Sequence, residues 1–180
     1  MEDLTMITDQ ADRCKKIVSG LLHFARQNKV DRDTADVRDL VSRALKASPA
    51  PDGIEAVVSH EIAEATVSLD RDQMLQVLTN LIGNAYAAMP DGGTLTIRTF
   101  DTDSQLKISV SDTGVGIPRK IRDKVFEPFV TTKEVGRGTG LGLAVSYGIV
   151  KMHRGNISIK SNDDPAEGPT GTTFTVAIPK

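Results

Sequence analysis

Apolar residues at Leu4, Ile7, Ala11, Cys14, Val18, Leu21 and Ala25 recur in steps of three and four, in a segment from Glu2 to about Asn28 that has no proline and one glycine. This is the seam of a helix over roughly three heptads. Ile17, Leu22 and Phe24 widen the stripe, so the segment reads as one arm of a helix bundle. Asp36 can cap a second helix through Val37, Leu40, Val41, Ala44 and Leu45, stopped by Pro49 and Pro51. Ile54 to Val58 and Thr66 to Leu69 read as two short strands around a loop. Asp70 caps a helix to about Met89, with Met74, Val77, Leu78, Leu81, Ile82 and Ala85 on its buried face. Pro90-Asp91-Gly92-Gly93 ends it. Thr94 to Phe100 and Leu106 to Val110 alternate as strands joined by the polar turn Asp101 to Ser104. Pro118 starts a short helix ending near Val125, and another helix runs from Gly140 to Met152. Asn156 to Lys160 and Thr172 to Ile178 close the chain as strands, separated by a mobile-looking loop, Asn162 to Gly171.

Helices and strands mix without a regular βαβ repeat, and short turns join the strand pairs, so much of the sheet should be antiparallel. The expected fold is α+β: a two-layer α/β sandwich whose mixed, largely antiparallel sheet is covered by helices on one face, preceded by the long bundle helix.

Composition narrows the class. Apolar residues make up 39% and charged ones 26%, as in an ordinary globular protein. A net charge of −2 carries no basic footprint, so nucleic acid is not an expected partner. No apolar run approaches the ~18 residues of a membrane span, and no signal peptide opens the chain. Cys14 is the single cysteine, which excludes a disulfide framework and fits a cytoplasmic location. Met1 falls inside what reads as a helix, so a piece of a longer protein is expected.

The chemistry concentrates in residues 112 to 143. Asp112-Thr113-Gly114-Val115-Gly116-Ile117 and Gly138-Thr139-Gly140-Leu141-Gly142-Leu143 are two glycine clusters flanking Phe126-Glu127-Pro128-Phe129 and Thr131-Thr132-Lys133. Glycine lets backbone approach a ligand, and a glycine turn at a helix N-terminus aims free N–H groups at phosphate. Asp112, at a strand end, can accept from an exocyclic amine or simply form the turn. Asn80 and Asn84 lie one turn apart beside Gly83, which permits close approach. They are either solvated surface residues or oxygen donors to a hard cation such as Mg²⁺.

In this order, Asn80 to Ala85, Asp112 to Ile117, Phe126 to Phe129 and Gly138 to Leu143 resemble the N, G1, F and G2 boxes of the sensor histidine kinase ATP-binding domain. That domain belongs to the superfamily of DNA gyrase, the mismatch-repair ATPase and the large heat-shock chaperone. Gly171-Thr172-Thr173-Phe174 resembles the family's last strand, and Ile17 to Arg26 resembles the second helix of the dimerisation and phosphotransfer domain. The resemblance implies a partial phosphotransfer helix over residues 1–30 and an ATP-binding catalytic domain over 36–180. It implies Asn84 as Mg²⁺ ligand and Asn80 lining the phosphates. Asp112 would read the adenine amino group, with Gly114, Gly116 and Ile117 shaping the base pocket and Thr172 beside it. Gly138, Thr139, Gly140, Leu141, Gly142 and Leu143 would hold the triphosphate. The lid, Glu127 to Thr139, would order on ATP, and its Phe129, Thr132, Lys133 and Arg137 would face the nucleotide. A response-regulator receiver domain and a second copy, paired through the bundle helix, are the implied partners.

Two positions depart from part of the family: Ala87 and Ala88 stand where some members have a lysine and an aromatic. Ser59-His60-Glu61-Ile62 imitates a phosphoacceptor box but lies at a strand end, and His23 reads as a packing residue of the bundle helix. His153 ends a helix, where a histidine suits the dipole. The ATP site is therefore expected without its acceptor histidine. Rival readings are a protein-serine kinase or anti-sigma factor, a nucleotide-switched binding module, and a stand-alone ATPase. The last needs a glutamate at the position of Asn80. If Lys133 meets the γ-phosphate, Lys133→Ala should weaken ATP binding or phosphotransfer by about tenfold; unchanged values in both assays would remove it from the site.

Overall fold

A computed structural model describes residues 30–102, 104–131 and 139–180. The bundle helix expected over 1–30 lies outside them apart from its last position, as do His23 and the lid residues Thr132, Lys133, Arg137 and Gly138.

The chain enters as a short strand β1 (Asp33–Asp36), then helix α1 (Val37–Ala47), β2 (Ile54–Glu61), β3 (Thr66–Leu69) and helix α2 (Arg71–Ala88). Strands β4 (Gly93–Asp101) and β5 (Gln105–Asp112) follow, then a one-turn helix α3 (Arg119–Arg122) and helix α4 (Gly142–Met152). Strand β6 (Asn156–Asn162), a 3-10 turn (Pro165–Glu167) and β7 (Gly171–Pro179) complete it. The expected caps hold. Asp36 accepts from Arg38 N–H at 2.7 Å, and Asp70 Oδ1 from Gln73 N–H at 3.1 Å, each satisfying a first-turn donor.

The five-stranded sheet has the order β2-β4-β5-β7-β6, with only the β2–β4 pair parallel. Alternation puts Leu95, Ile97, Ile108, Val110, Phe174 and Val176 on one face. The predicted buried face of α2, from Met74 to Ala85, lies among these residues in a single core, with Val145, Ile149 and Val150 of α4. The other face carries Thr96, Arg98, Ser109, Ser111, Thr173 and Thr175 across adjacent strands. The two-layer α+β sandwich is thus as expected. Each fully buried side chain such as Leu81 or Ile82 contributes about 1.5–3 kcal/mol.

One local expectation changes, and the sheet adds pairings that the sequence did not specify. Strands β2 and β3 do not pair with one another: β2 runs parallel to β4, and β3 pairs antiparallel with the unanticipated β1 as a separate ladder. The edge position of β2 explains its lack of alternation, since most of its residues are exposed. The loop 162–171 is stapled down. Asn162 Nδ2 shares its protons among the carbonyls of Asp164, Gly168 and Pro169, and Arg122 and Arg119 form ion pairs with Asp163 and Glu167. His60 sits within β2, where its Nδ1 lies 2.7 Å from the Thr99 hydroxyl.

His153 ends α4 as its C-cap, as expected, and in addition is a buried neutral bridge between α4 and the start of α2. Its Nε2 accepts from Asp70 N–H at 3.0 Å, and its Nδ1–H donates to Ile149 C=O at 2.8 Å. A proton on Nε2 would face the Asp70 N–H. Burial, the largest influence, holds the imidazole below its ordinary 6.5. The unfolded chain therefore binds the proton more readily, so stability is complete above about 6.5 and falls as pH drops below it. His153→Asn should cost about 1–3 kcal/mol at pH 7.5. Denaturant midpoints followed from pH 7.5 to 5 should fall in the parent chain and flatten in the variant.

Candidate functional site

A cavity of about 280 Å³ opens between the C-terminal half of α2, the adjoining ends of β5 and β7, the loop after β5 and the start of α4. The β5–β7 register sets its floor by pairing Asp112 with Thr172. Asp112 Oδ1 accepts from Gly114 N–H at 2.9 Å and from Thr172 N–H at 3.2 Å. Among the described residues nothing bonds Oδ2. Burial raises the Asp112 carboxyl above 3.8, and the two N–H bonds oppose the rise. Ionised Asp112 is thus held at a cost that a proton donor on a ligand would relieve.

Glycine is required where the loop after β5 passes its neighbours. A Cβ on Gly114 would lie 2.3 Å from Ala88 O, and one on Gly116 (φ +74) 2.0 Å from Asn162 O. Val115 N–H donates to Ala88 O at 3.1 Å. Ala87 and Ala88 themselves line the cavity, so the small residues at these departing positions let the loop sit on α2.

At the opposite end, α4 begins at Gly142 after Leu141, with no side-chain cap. Its first-turn N–H groups are available to an anion, with the positive end of the dipole behind them. Asn80 Nδ2 donates to Gly142 O at 3.2 Å and lies 3.4 Å from Ser146 Oγ, tethering this turn to α2. Phe129 and Gly140 both adopt left-handed backbone (φ 67 and 65), and Phe129 N–H donates to Gly140 O at 3.0 Å. This bond joins residues 129 and 140, while Phe129 stays 63% exposed. Phe126 packs its ring 5.4 Å from Tyr147 and 6.3 Å from Phe174.

Of the residues expected to form the site, Asn84, Asp112, Gly116, Ile117, Thr139, Gly140, Gly142, Leu143 and Thr172 line this cavity. Gly114, Leu141, Asn80 and Phe129 lie beside it as supports. Ile121, Val125 and Val130 add apolar wall that the motifs did not single out, beside Phe174 of the last-strand motif; only their apolar character near the glycine clusters could have signalled it. Gly83 is not needed for close approach among the described residues, since a Cβ there meets nothing within 4 Å.

A carboxylate acceptor at one end and an uncapped helix N-terminus at the other suit a ligand with proton donors at one end and negative charge at the other, as in a nucleotide. A sequence profile described as histidine kinase-, DNA gyrase B-, and HSP90-like ATPase matches residues 69–180, and the chain belongs to that family. It is 36% identical over 195 residues to the sensor kinase CckA of Brucella abortus, an alignment covering 99% of this chain and 20% of that protein. The structure of full-length ShkA in complex with AMPPNP superposes with a TM-score of 0.81 at 25% identity, covering 97% of this chain and 37% of that one. The histidine kinase ThkA, in complex with the response regulator TrrA, gives 0.78 at 25% identity, covering 97% and 49%. The chain thus spans about a fifth of the length of CckA.

Two glycine substitutions should separate the roles. Gly116→Ala should destabilise by about 1–3 kcal/mol through strain and the clash with Asn162. Gly83→Ala, in an open helix interior, should stabilise by about 0.8–1 kcal/mol. Thermal unfolding of both variants checks the pair.

Proposed function

We propose that this chain is the ATP-binding catalytic part of a two-component sensor histidine kinase. The whole protein would transfer the γ-phosphate of ATP to a histidine outside this chain, for relay to an aspartate of a response regulator. The carrying observation is that Asp112 and the uncapped start of α4 share one cavity. Asp112 Oδ2 would accept from the adenine amino group, with Gly116 and Ile117 against the base and Thr172 beside it. Backbone N–H groups from Gly140 to Leu143 would take the phosphates, with Thr132, Lys133, Arg137, Gly138 and Thr139 added from the lid.

Asn84 fits a Mg²⁺ held mainly by phosphate oxygens, because such an ion takes only one or two protein oxygens. When bound, the cation would neutralise phosphate charge; the chain's part is then positioning. Asn80 is an amide and cannot activate water as a carboxylate would, which favours phosphotransfer over rapid hydrolysis.

The described complex of ThkA with TrrA supports a receiver domain as partner. Pairing with a second copy through residues 1–30, a cytoplasmic location, and an ATP-binding unit over 36–180 belong to the same reading. The burial of Val37, Leu40, Val41 and Ala44 in the common core supports that boundary. Among the described residues no helix is long and apolar enough to cross a membrane.

Titration with Mg-ATP is the test. The parent chain should bind, and Asp112→Asn should lose about ten- to a hundredfold in affinity, as for a hydrogen bond to a charged group. With γ-labelled ATP the isolated chain should stay unlabelled. Label on any of its three histidines would contradict the assignment of the acceptor to another segment.

A further inference from the structure

Ile117 lines the cavity, and side chains from two other segments hold both ends of its backbone. Its N–H donates to Ser161 Oγ at 2.8 Å, and its C=O accepts from Arg122 Nε at 2.7 Å. Ser161, on β6, does not line the cavity. Its Oγ lies 3.0 Å from Gly171 O and 2.9 Å from Thr172 Oγ1. Thr172 is only 4% exposed and does line it.

Proton counting gives this cluster a direction. A serine hydroxyl has one proton and two lone pairs. One lone pair takes the Ile117 N–H. The Gly171 carbonyl can only accept, so it takes the serine proton. The remaining lone pair then takes the proton of Thr172, which leaves Thr172 with acceptor capacity alone. Asp112, ionised beside it, also only accepts.

We infer that Ser161 is a positioning residue: it orients the Thr172 hydroxyl as an acceptor beside Asp112 and fixes the base-facing backbone at Ile117. The pocket thereby favours a base edge that brings protons, such as an exocyclic amino group, directly or through water. This rests on the ATP reading above. It assigns part of the preference for the amino group to a side chain that touches no nucleotide.

The test compares dissociation constants for Mg-ATP and for purine riboside triphosphate, which lacks the 6-amino group, in the parent, Ser161→Ala, Ser161→Thr and Arg122→Gln. Ser161→Ala frees the Ile117 N–H as well as the Thr172 hydroxyl, so it should weaken both ligands, but ATP about tenfold more than the deamino analogue, a difference set by one hydrogen bond. Ser161→Thr keeps the hydroxyl and should restore the ratio. Arg122→Gln releases the Ile117 carbonyl together with the ion pair to Asp163 but leaves the Ser161–Thr172 contact in place, and should weaken both ligands alike. If Ser161→Ala fails to fold by circular dichroism, Ser161→Cys keeps a similar volume with a weak hydrogen-bonding group and carries the same expectation. Equal weakening of both ligands in the serine variant, or no change in either, would overturn the role. Failure of the parent chain to bind ATP would instead overturn the functional reading beneath it.

Discussion

The site depends on one carboxylate. Asp112 stands at the end of β5, where the sheet stops and the chain must turn. Its Oδ1 accepts from the backbone of Gly114 on the departing loop and from Thr172 on the neighbouring strand. That single oxygen joins the loop to the sheet and fixes the direction of Oδ2. Burial works against the charge, and only two N–H groups of the described residues offset it. The rest of the cavity follows from this arrangement: the loop lies on Ala88, its glycines pass where a methyl group could not, and Ile117 is carried onto the cavity wall.

Much of the fold was legible because local rules and the final packing agree. Asp36 and Asp70 cap their helices, the apolar spacing of α2 marks its buried face, and the alternation in β4 and β5 matches their one-sided burial. Legibility failed where tertiary placement overrides local pattern. The exposed edge strand β2 has no periodicity to reveal its parallel partner β4. Strand β1, with two aspartates in four residues, becomes a strand only because β3 lies beside it. The loop 162–171 is polar and contains proline and glycine, yet Asn162 and two ion pairs organise it. His153 carried no sign in the sequence that both its nitrogens would be bound to backbone.

The site divides along the same line. Asp112 and the glycines of its turn were singled out from the sequence, and they lie in or beside the cavity. Side chains that make room for the loop or support it from behind were not assigned those roles. Ala87 and Ala88 matter for what they leave room for, and Ser161 for what it holds. Asn80 was expected toward the phosphates; here its amide ties the start of α4 to α2. Phe129 and Gly140 each adopt left-handed backbone and are joined by one backbone hydrogen bond that no motif announces.

The central claim is that Asp112 and the α4 N-terminus grip opposite ends of one nucleotide. A crystal structure of this chain soaked with Mg²⁺ and a non-hydrolysable ATP analogue tests it most directly. The expected result is the adenine amino nitrogen within hydrogen-bond distance of Asp112 Oδ2, with phosphate oxygens on the backbone N–H groups at Gly140 to Leu143. A nucleotide bound with its base away from Asp112, or with phosphates remote from the start of α4, would contradict it.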